Sequence, residues 1–183
     1  MLIFAGDLSI HGNLSKLRDI AEWFSIFDHD YKIGVAGNHD FMFAGNKKEE
    51  AVEILKENRI IYLEDDTIQL DGITFYGTPY SQTFDRYVFN KGFEEIPPRT
   101  DVLISHGPPQ GRNDYWNEDE GHVGSKSLRE AVDRVKPQLH LYGHIHEKHG
   151  NEVTSYGDSI NVSISDRDYE VSEVPAVIEL EEK

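Results

Sequence analysis

Cysteine is absent from the 183 residues, which excludes disulfides and thiolate metal sites and leaves His, Asp and Asn as the ligand vocabulary. Positive charge is scarce: 18 Lys and Arg stand against 34 Asp and Glu, a formal net charge of -16. Binding a nucleic-acid backbone relies on cationic groups that release counterions, and no basic patch is present, so no nucleic-acid duplex is expected as a partner. A membrane-length apolar run and a signal-peptide pattern are missing as well. No membrane partner is therefore expected, and the cytoplasm is the default location. Nor does any repeat, linker, low-complexity tract or composition break divide the chain. Residues 1–183 are expected to fold as a single domain, long enough to bury a core.

What is present is a recurring pattern of apolar runs that end in metal-competent side chains. Leu139-His140-Leu141-Tyr142 reads as a buried strand, and Gly143 then leads into His144-Ile145-His146, whose two imidazoles at i and i+2 would share one side of an extended backbone. Short histidine pairs also occur on ordinary surfaces, so repetition carries the argument. Leu2-Ile3-Phe4-Ala5-Gly6 ends in Asp7, Ile33-Gly34-Val35-Ala36-Gly37 ends in Asn38-His39-Asp40, and Val102-Leu103-Ile104-Ser105 ends in His106. Ligands of open α/β sheets bind outside the carboxyl ends of the strands, so the four ends are expected to converge on one site.

Between these blocks the chain alternates helices and strands. Leu14, Leu17, Ile20, Ala21 and Phe24 recur at helical spacing, with Trp23 and Phe27 read as core or edge packing, and a second helix is expected from about Lys47 to Asn58. Leu2 to Ala5 is expected to be fully buried only where neighbours cover both sides. Gly34 and Gly37 suggest close backbone approach or a sharp turn. Asp71-Gly72 between two alternating runs predicts a β-hairpin. Tyr80, Phe84 and Tyr87 read as loop packing, with stacking on a substrate base as the alternative. Residues 110–124, which hold Trp116 and an acidic run, read as a cap beside the cleft. Ser127-Leu128-Arg129-Glu130 matches a capping box ahead of a helix that Lys136-Pro137 stops. The tail predicts strands at Glu152 to Tyr156, Ser159 to Ile164 and Ala176 to Leu180.

Gly6-Asp7, Gly37-Asn38-His39-Asp40, Ser105-His106-Gly107 and Gly143-His144-Ile145-His146 resemble, in order, the successive blocks of the calcineurin-like metallophosphoesterases. Ser105-His106-Gly107-Pro108-Pro109 and Gly143-His144-Ile145-His146-Glu147 look most like the small metallophosphoesterase-domain subgroup related to class III cyclic-nucleotide phosphodiesterases. The resemblance implies an α/β sandwich of two mixed β-sheets flanked by helices. It also implies hydrolysis of a small phosphodiester or phosphomonoester by metal-activated water. Carried over by position, it makes Asp7 the carboxylate shared by two divalent metals, with Asn38, His106 and His144 completing the second site and His146 belonging to the first. His39 would serve the leaving oxygen, and Asp40 would steady the loop or that imidazole. Manganese is the leading cofactor, with Fe, Zn, Co or Ni as alternatives.

One block of the family pattern is missing. The resembling proteins begin with a further strand carrying Asp-x-His, and no Asp-x-His occurs in these residues; Asp166-Arg167-Asp168 lacks the histidine. The sandwich is therefore expected to lack its first strand, with one well-formed metal site and a second, incomplete one. The uncovered sheet edge is expected to invite an oligomer or a complementing strand. A true start farther upstream, a separate polypeptide and a natural short form are the three competing explanations. The rival functional reading is a catalytically impaired, metal-binding pseudoenzyme that keeps the fold for interaction. A Ser105-His106 nucleophilic pair is disfavoured because neighbours on a strand point to opposite faces. His11, His29, His122, His140 and His149 read as surface or packed histidines.

Overall fold

A computed structural model of the chain describes residues 1–79 and 93–180. The apolar runs noted above become strands β1 (Leu2–Ala5), β2 (Lys32–Val35), β6 (Val102–Ser105) and β7 (Leu139–Tyr142). The hairpin is β4 (Asp66–Leu70) and β5 (Ile73–Thr78), and its turn residues Asp71 and Gly72 have φ of 49° and 82°. Positive φ at both central positions matches the right-handed twist of the flanking strands. Three further strands are β3 (Ile61–Tyr62), β8 (Gly150–Val153) and β9 (Asp158–Asn161). The helices are α1 (Leu14–Ser25), α2 (Lys48–Glu57) and α3 (Lys126–Val135).

The strands form two sheets. The smaller, in the order β1-β2-β3, is parallel throughout, and the larger, in the order β4-β5-β6-β7-β9-β8, is mixed. Side-chain alternation decides the layering. Ala5, Ile33 and Val35 of the small sheet meet Phe75, Val102, Ile104, Leu139, Leu141 and Ile160 of the large one in a common core. Residues of opposite parity face outward to the helices. Phe4 packs toward Phe24 of α1 at 5.2 Å, lying on Gly34, where any Cβ would collide with its ring. Leu17, Ala21, Ala51, Ile54 and Leu55 of α1 and α2 cover that face. Leu128, Ala131, Val132 and Val135 of α3 cover Tyr76 and Leu103 on the far face of the large sheet. Each fully buried Leu, Ile or Phe in these layers contributes about 1.5–3 kcal/mol. The result is a helix–sheet–sheet–helix sandwich, and it sets the carboxyl ends of β1, β2, β6 and β7 at one rim.

Several sequence expectations need correction. The cap of α3 is Ser125, whose extended backbone lets its hydroxyl accept the Leu128 N–H at 3.1 Å; Ser127 already lies in the first turn. Lys136 ends that helix in left-handed backbone, its N–H bonded to the Val132 carbonyl, and Pro137 follows directly. β1 is an edge strand and is only half-buried apart from Ala5, because among the described residues it pairs with β2 alone. β8 and β9 begin and end earlier than the alternation indicates, and residues 176–180 are not a strand, although Ile178 and Leu180 pack on the core. Trp23 is an edge residue, 54% exposed, beside Phe24 and Phe27. Tyr80, Phe84 and Tyr87 lie outside the described residues.

Candidate metal centre

Asp7 follows β1 and Asn38 follows β2, so the small sheet supplies two oxygen donors. His106 follows β6 and His144 follows β7, so the large sheet supplies two imidazoles. One ligand atom each from Asp7, His106 and His144 lies within 4.8 Å of the others. His106 Nε2 sits at their centre, 2.7 Å from Asn38 Oδ1, 3.1 Å from His144 Nδ1 and 3.3 Å from Asp7 Oδ2. Both Asp7 and His144 hold left-handed backbone, with φ of 57° and 70°, a conformation that costs about 1–3 kcal/mol and collects at functional sites. Gly37 carries no Cβ because one would run into the Asp7 carboxylate.

The hydrogen bonds prepare these atoms for a cation. His106 Nδ1 donates to the Ala5 carbonyl at 2.8 Å, which fixes the tautomer and turns the Nε2 lone pair toward the group. Asp7 Oδ1 accepts the His39 backbone N–H at 2.9 Å, leaving Oδ2 for the group. An acceptor nitrogen and an acceptor oxygen at 2.7 Å repel unless a proton or a metal lies between them. A metal at that point would meet both lone pairs. Burial would lower the His106 pKa, but the Asp7 charge, the hydrogen bond to Asp7 and the Ala5 carbonyl raise it on balance. Asp7 is held well below the usual carboxylate range, because His106 and the His39 amide outweigh the effect of burial. Burial and the neighbouring His106 push His144 down to about 3, keeping it neutral and ready to ligate. One carboxylate oxygen, one amide oxygen and two neutral imidazoles form a donor set that fits a divalent transition metal.

The remaining residues of the strand-end blocks divide into those that support this group and one that stands outside it. Asp40 is fully buried and accepts the amides of Gly37 at 2.9 Å, Leu8 at 3.0 Å and Ser9 at 2.9 Å. It therefore steadies the two loops that carry Asp7 and Asn38. Burial, with Asp7 nearby, raises its carboxyl to about 6 against the pull of those amides. His39 takes a different partner: its Nδ1 donates to the Ile10 carbonyl at 3.0 Å, leaving Nε2 free for chemistry. His146 lies outside the close group, with Nδ1 bound to the Asp166 carbonyl at 2.7 Å. Ser105 and His106 do point apart, and Ser105 Oγ meets the buried His140 Nε2 at 2.8 Å on the far face.

The tail segment Asp166-Arg167-Asp168, set aside in the sequence reading, comes to the rim of this site. Tyr169 stands beside both His39 and His146, with ring centroids 6.3 and 5.5 Å away. No local pattern marks it, since its placement depends on contacts with residues more than twenty positions away. Residues 110–124 form a loop organised by buried Asp114, which accepts from Gly111, Gly124 and His122, and its Trp116 carbonyl accepts from Arg167 of the tail turn. Among the described residues no helix is long and apolar enough to cross a membrane.

Comparison with known proteins agrees with this geometry. The family model for calcineurin-like phosphoesterases matches residues 1–148. Metallophosphoesterase domain-containing protein 1 of Homo sapiens is 30% identical over 212 residues, covering 98% of this chain and 64% of the relative, so the chain spans less than two thirds of that protein's length. UPF0046 protein K07C11.7 of Caenorhabditis elegans is 30% identical over 205 residues, covering 100% of this chain and 69% of the relative. The crystal structure of phosphopantetheinyl hydrolase (PptH) from Mycobacterium tuberculosis shares the fold, with a TM-score of 0.61 and 13% identity over 89% of this chain and 78% of that one. Four strand ends converging as a donor group, within a match that spans most of the sequence, place this chain in the calcineurin-like phosphoesterase family.

Proposed function

We propose that the chain hydrolyses a small phosphodiester or phosphomonoester with a divalent metal held by Asp7, Asn38, His106 and His144, manganese being the first candidate. The convergence of those four donors around His106 Nε2 carries the reading. When bound, the metal supplies a Lewis acid for the phosphoryl oxygens and lowers the pKa of a water for attack. The chain's own residues do the rest. Asp40 holds the Asp7 and Asn38 loops in register. His39, with Nδ1 committed to Ile10, presents Nε2 to the leaving ester oxygen and, when protonated there, delivers the proton that oxygen needs. Net charge of -16 disfavours long polyanions and fits a small phosphorylated substrate.

The rival reading, a metal-binding pseudoenzyme, is favoured by one observation: His146 stands outside the group, so the donors gathered here are those of one metal. The deciding experiment is hydrolysis of bis(4-nitrophenyl) phosphate titrated with manganese, with His39→Ala and His106→Ala in parallel. Manganese-dependent turnover that both substitutions abolish is the expected result. Folded, metal-loaded protein with no turnover would give the pseudoenzyme reading the lead, and turnover indifferent to His106→Ala would overturn the assigned ligands.

A further inference from the structure

The turn that reaches the site from the tail carries more anchors than a connecting loop requires. Inside it, the Asp166 carboxylate accepts the amides of Asp168 at 2.9 Å and Glu170 at 3.0 Å, and a short bridge joins Ser165 to Val171. Contacts with other segments tie it down further. Arg167 pairs with Glu147, donates to the Trp116 carbonyl at 3.1 Å and lies over the Trp116 ring at 5.6 Å. The Asp166 carbonyl accepts His146 Nδ1 at 2.7 Å. The turn is thus fixed both to the His144-Ile145-His146 segment and to the loop at residues 110–124.

What these anchors present is Tyr169. Its backbone is left-handed, with φ of 62°, a conformation that a bulky residue rarely adopts and that persists where the surroundings impose it. Its ring stands perpendicular to the imidazoles of both His39 and His146, at an interplanar angle of 84° to each. The residue is nevertheless 52% exposed, so the surrounding structure holds the ring in place without covering it. A ring fixed beside the proton donor and left open has the requirements of a stacking surface. The cation in the same turn, Arg167, is taken up by Glu147 and Trp116, so this wall offers a flat apolar face and no additional anion site.

We propose that Tyr169 determines substrate class by stacking on a flat, unsaturated group of the phosphoester, aryl or heteroaromatic, on the side where His39 meets the leaving oxygen. This rests on the hydrolase reading of the metal centre. The test compares phenylphosphonate with methylphosphonate, which share the metal-binding head and differ in the flat group, by calorimetric titration of manganese-loaded full chain. Phenylphosphonate should bind roughly five- to tenfold tighter, a stacking contribution of ordinary size. Tyr169→Leu should erase that preference while leaving methylphosphonate affinity unchanged, and Tyr169→Phe should keep it. The KM for bis(4-nitrophenyl) phosphate should rise in Tyr169→Leu by the same factor with kcat little changed. Equal binding of the two phosphonates by the unsubstituted protein, or a preference that survives Tyr169→Leu, would overturn the role of Tyr169 alone. Binding of neither phosphonate would overturn the metal-centre reading, and this proposal with it.

Discussion

Replacing Asp40 with Asn changes one atom of a side chain that touches no substrate in this reading, yet two losses should follow. Oδ2 accepts from Leu8 and Gly37 and Oδ1 accepts from Ser9, so an isosteric amide keeps one oxygen and turns an N–H2 toward at least one buried amide donor. A hydrogen bond to a charged acceptor is worth about 1.5–3 kcal/mol, and removing the buried charge beside Asp7 recovers part of that, so a net destabilisation of about 2 kcal/mol is expected. Metal affinity should fall roughly 10- to 100-fold, as it does when groups that orient ligands are lost, because the loops bearing Asp7 and Asn38 lose their common anchor. The pH dependence gives an internal check. The folded carboxyl is raised to about 6 from 3.8, so the folded state binds a proton that the unfolded chain does not yet hold, and this contribution is present at low pH and lost as pH rises through 6. In metal-free protein the lead of wild type over Asp40→Asn should therefore widen by about 1 kcal/mol between pH 7.5 and pH 5. Urea unfolding across that range and calorimetric manganese titration measure both effects. An Asp40→Asn protein with unchanged stability and metal affinity but reduced kcat would refute the loop-anchoring role.

Protons compete with the metal for His106, whose pKa the Asp7 charge raises, so manganese affinity should weaken on acidification, by up to about tenfold per pH unit once His106 is protonated; proton release measured in two buffers of different ionisation enthalpy checks this. His140, buried and pushed down to about 3 from 6.5, contributes stability that is present above pH 6.5 and lost on acidification, about 2 kcal/mol by pH 5. His140→Gln should remove that part of the acid slope in urea unfolding. Ser125→Ala should cost about 1 kcal/mol through the lost α3 cap while Ser127→Ala costs much less, and the two thermal melts, compared side by side, decide which serine caps the helix.

The strand ends were readable because each combines two local signals, an apolar run and a polar side chain placed just beyond it. Asp7, Asn38, His106 and His144 are separated by up to 137 positions in the chain, but the rule that strand carboxyl ends converge needs no knowledge of those distances. Features that depend on particular partners were not readable. The 176–180 segment alternates as a strand should, and Ile178 and Leu180 do turn inward, yet a strand also needs a hydrogen-bonded neighbour that the alternation cannot supply. β3 has two residues, too few to show any period. Asp40 offered two local roles in the sequence, loop or imidazole, and the decision fell to Leu8 and Ser9, thirty-two and thirty-one positions away. Tyr169 had no signal at all, because the residues that hold its turn, Glu147, Trp116 and His146, belong to other segments.

The donors' origin gives the metal centre a structural consequence. Asp7 and Asn38 hang from the small sheet, His106 and His144 from the large one, and the two sheets meet there through the apolar core, the His106 bond to the Ala5 carbonyl and the His106 contacts with Asn38 and Asp7. A cation held by all four is a tie across that junction. By mass action it stabilises the folded state by about 2.7 kcal/mol at a free concentration one hundred times its dissociation constant. That increment acts where β1, whose single neighbour among the described residues is β2, ends in Ala5, to which His106 is anchored. A cation held there would therefore serve a structural role as well as a chemical one, and its removal by chelation should loosen the loop that carries Asp7, which hydrogen exchange of the residues after β1 would measure.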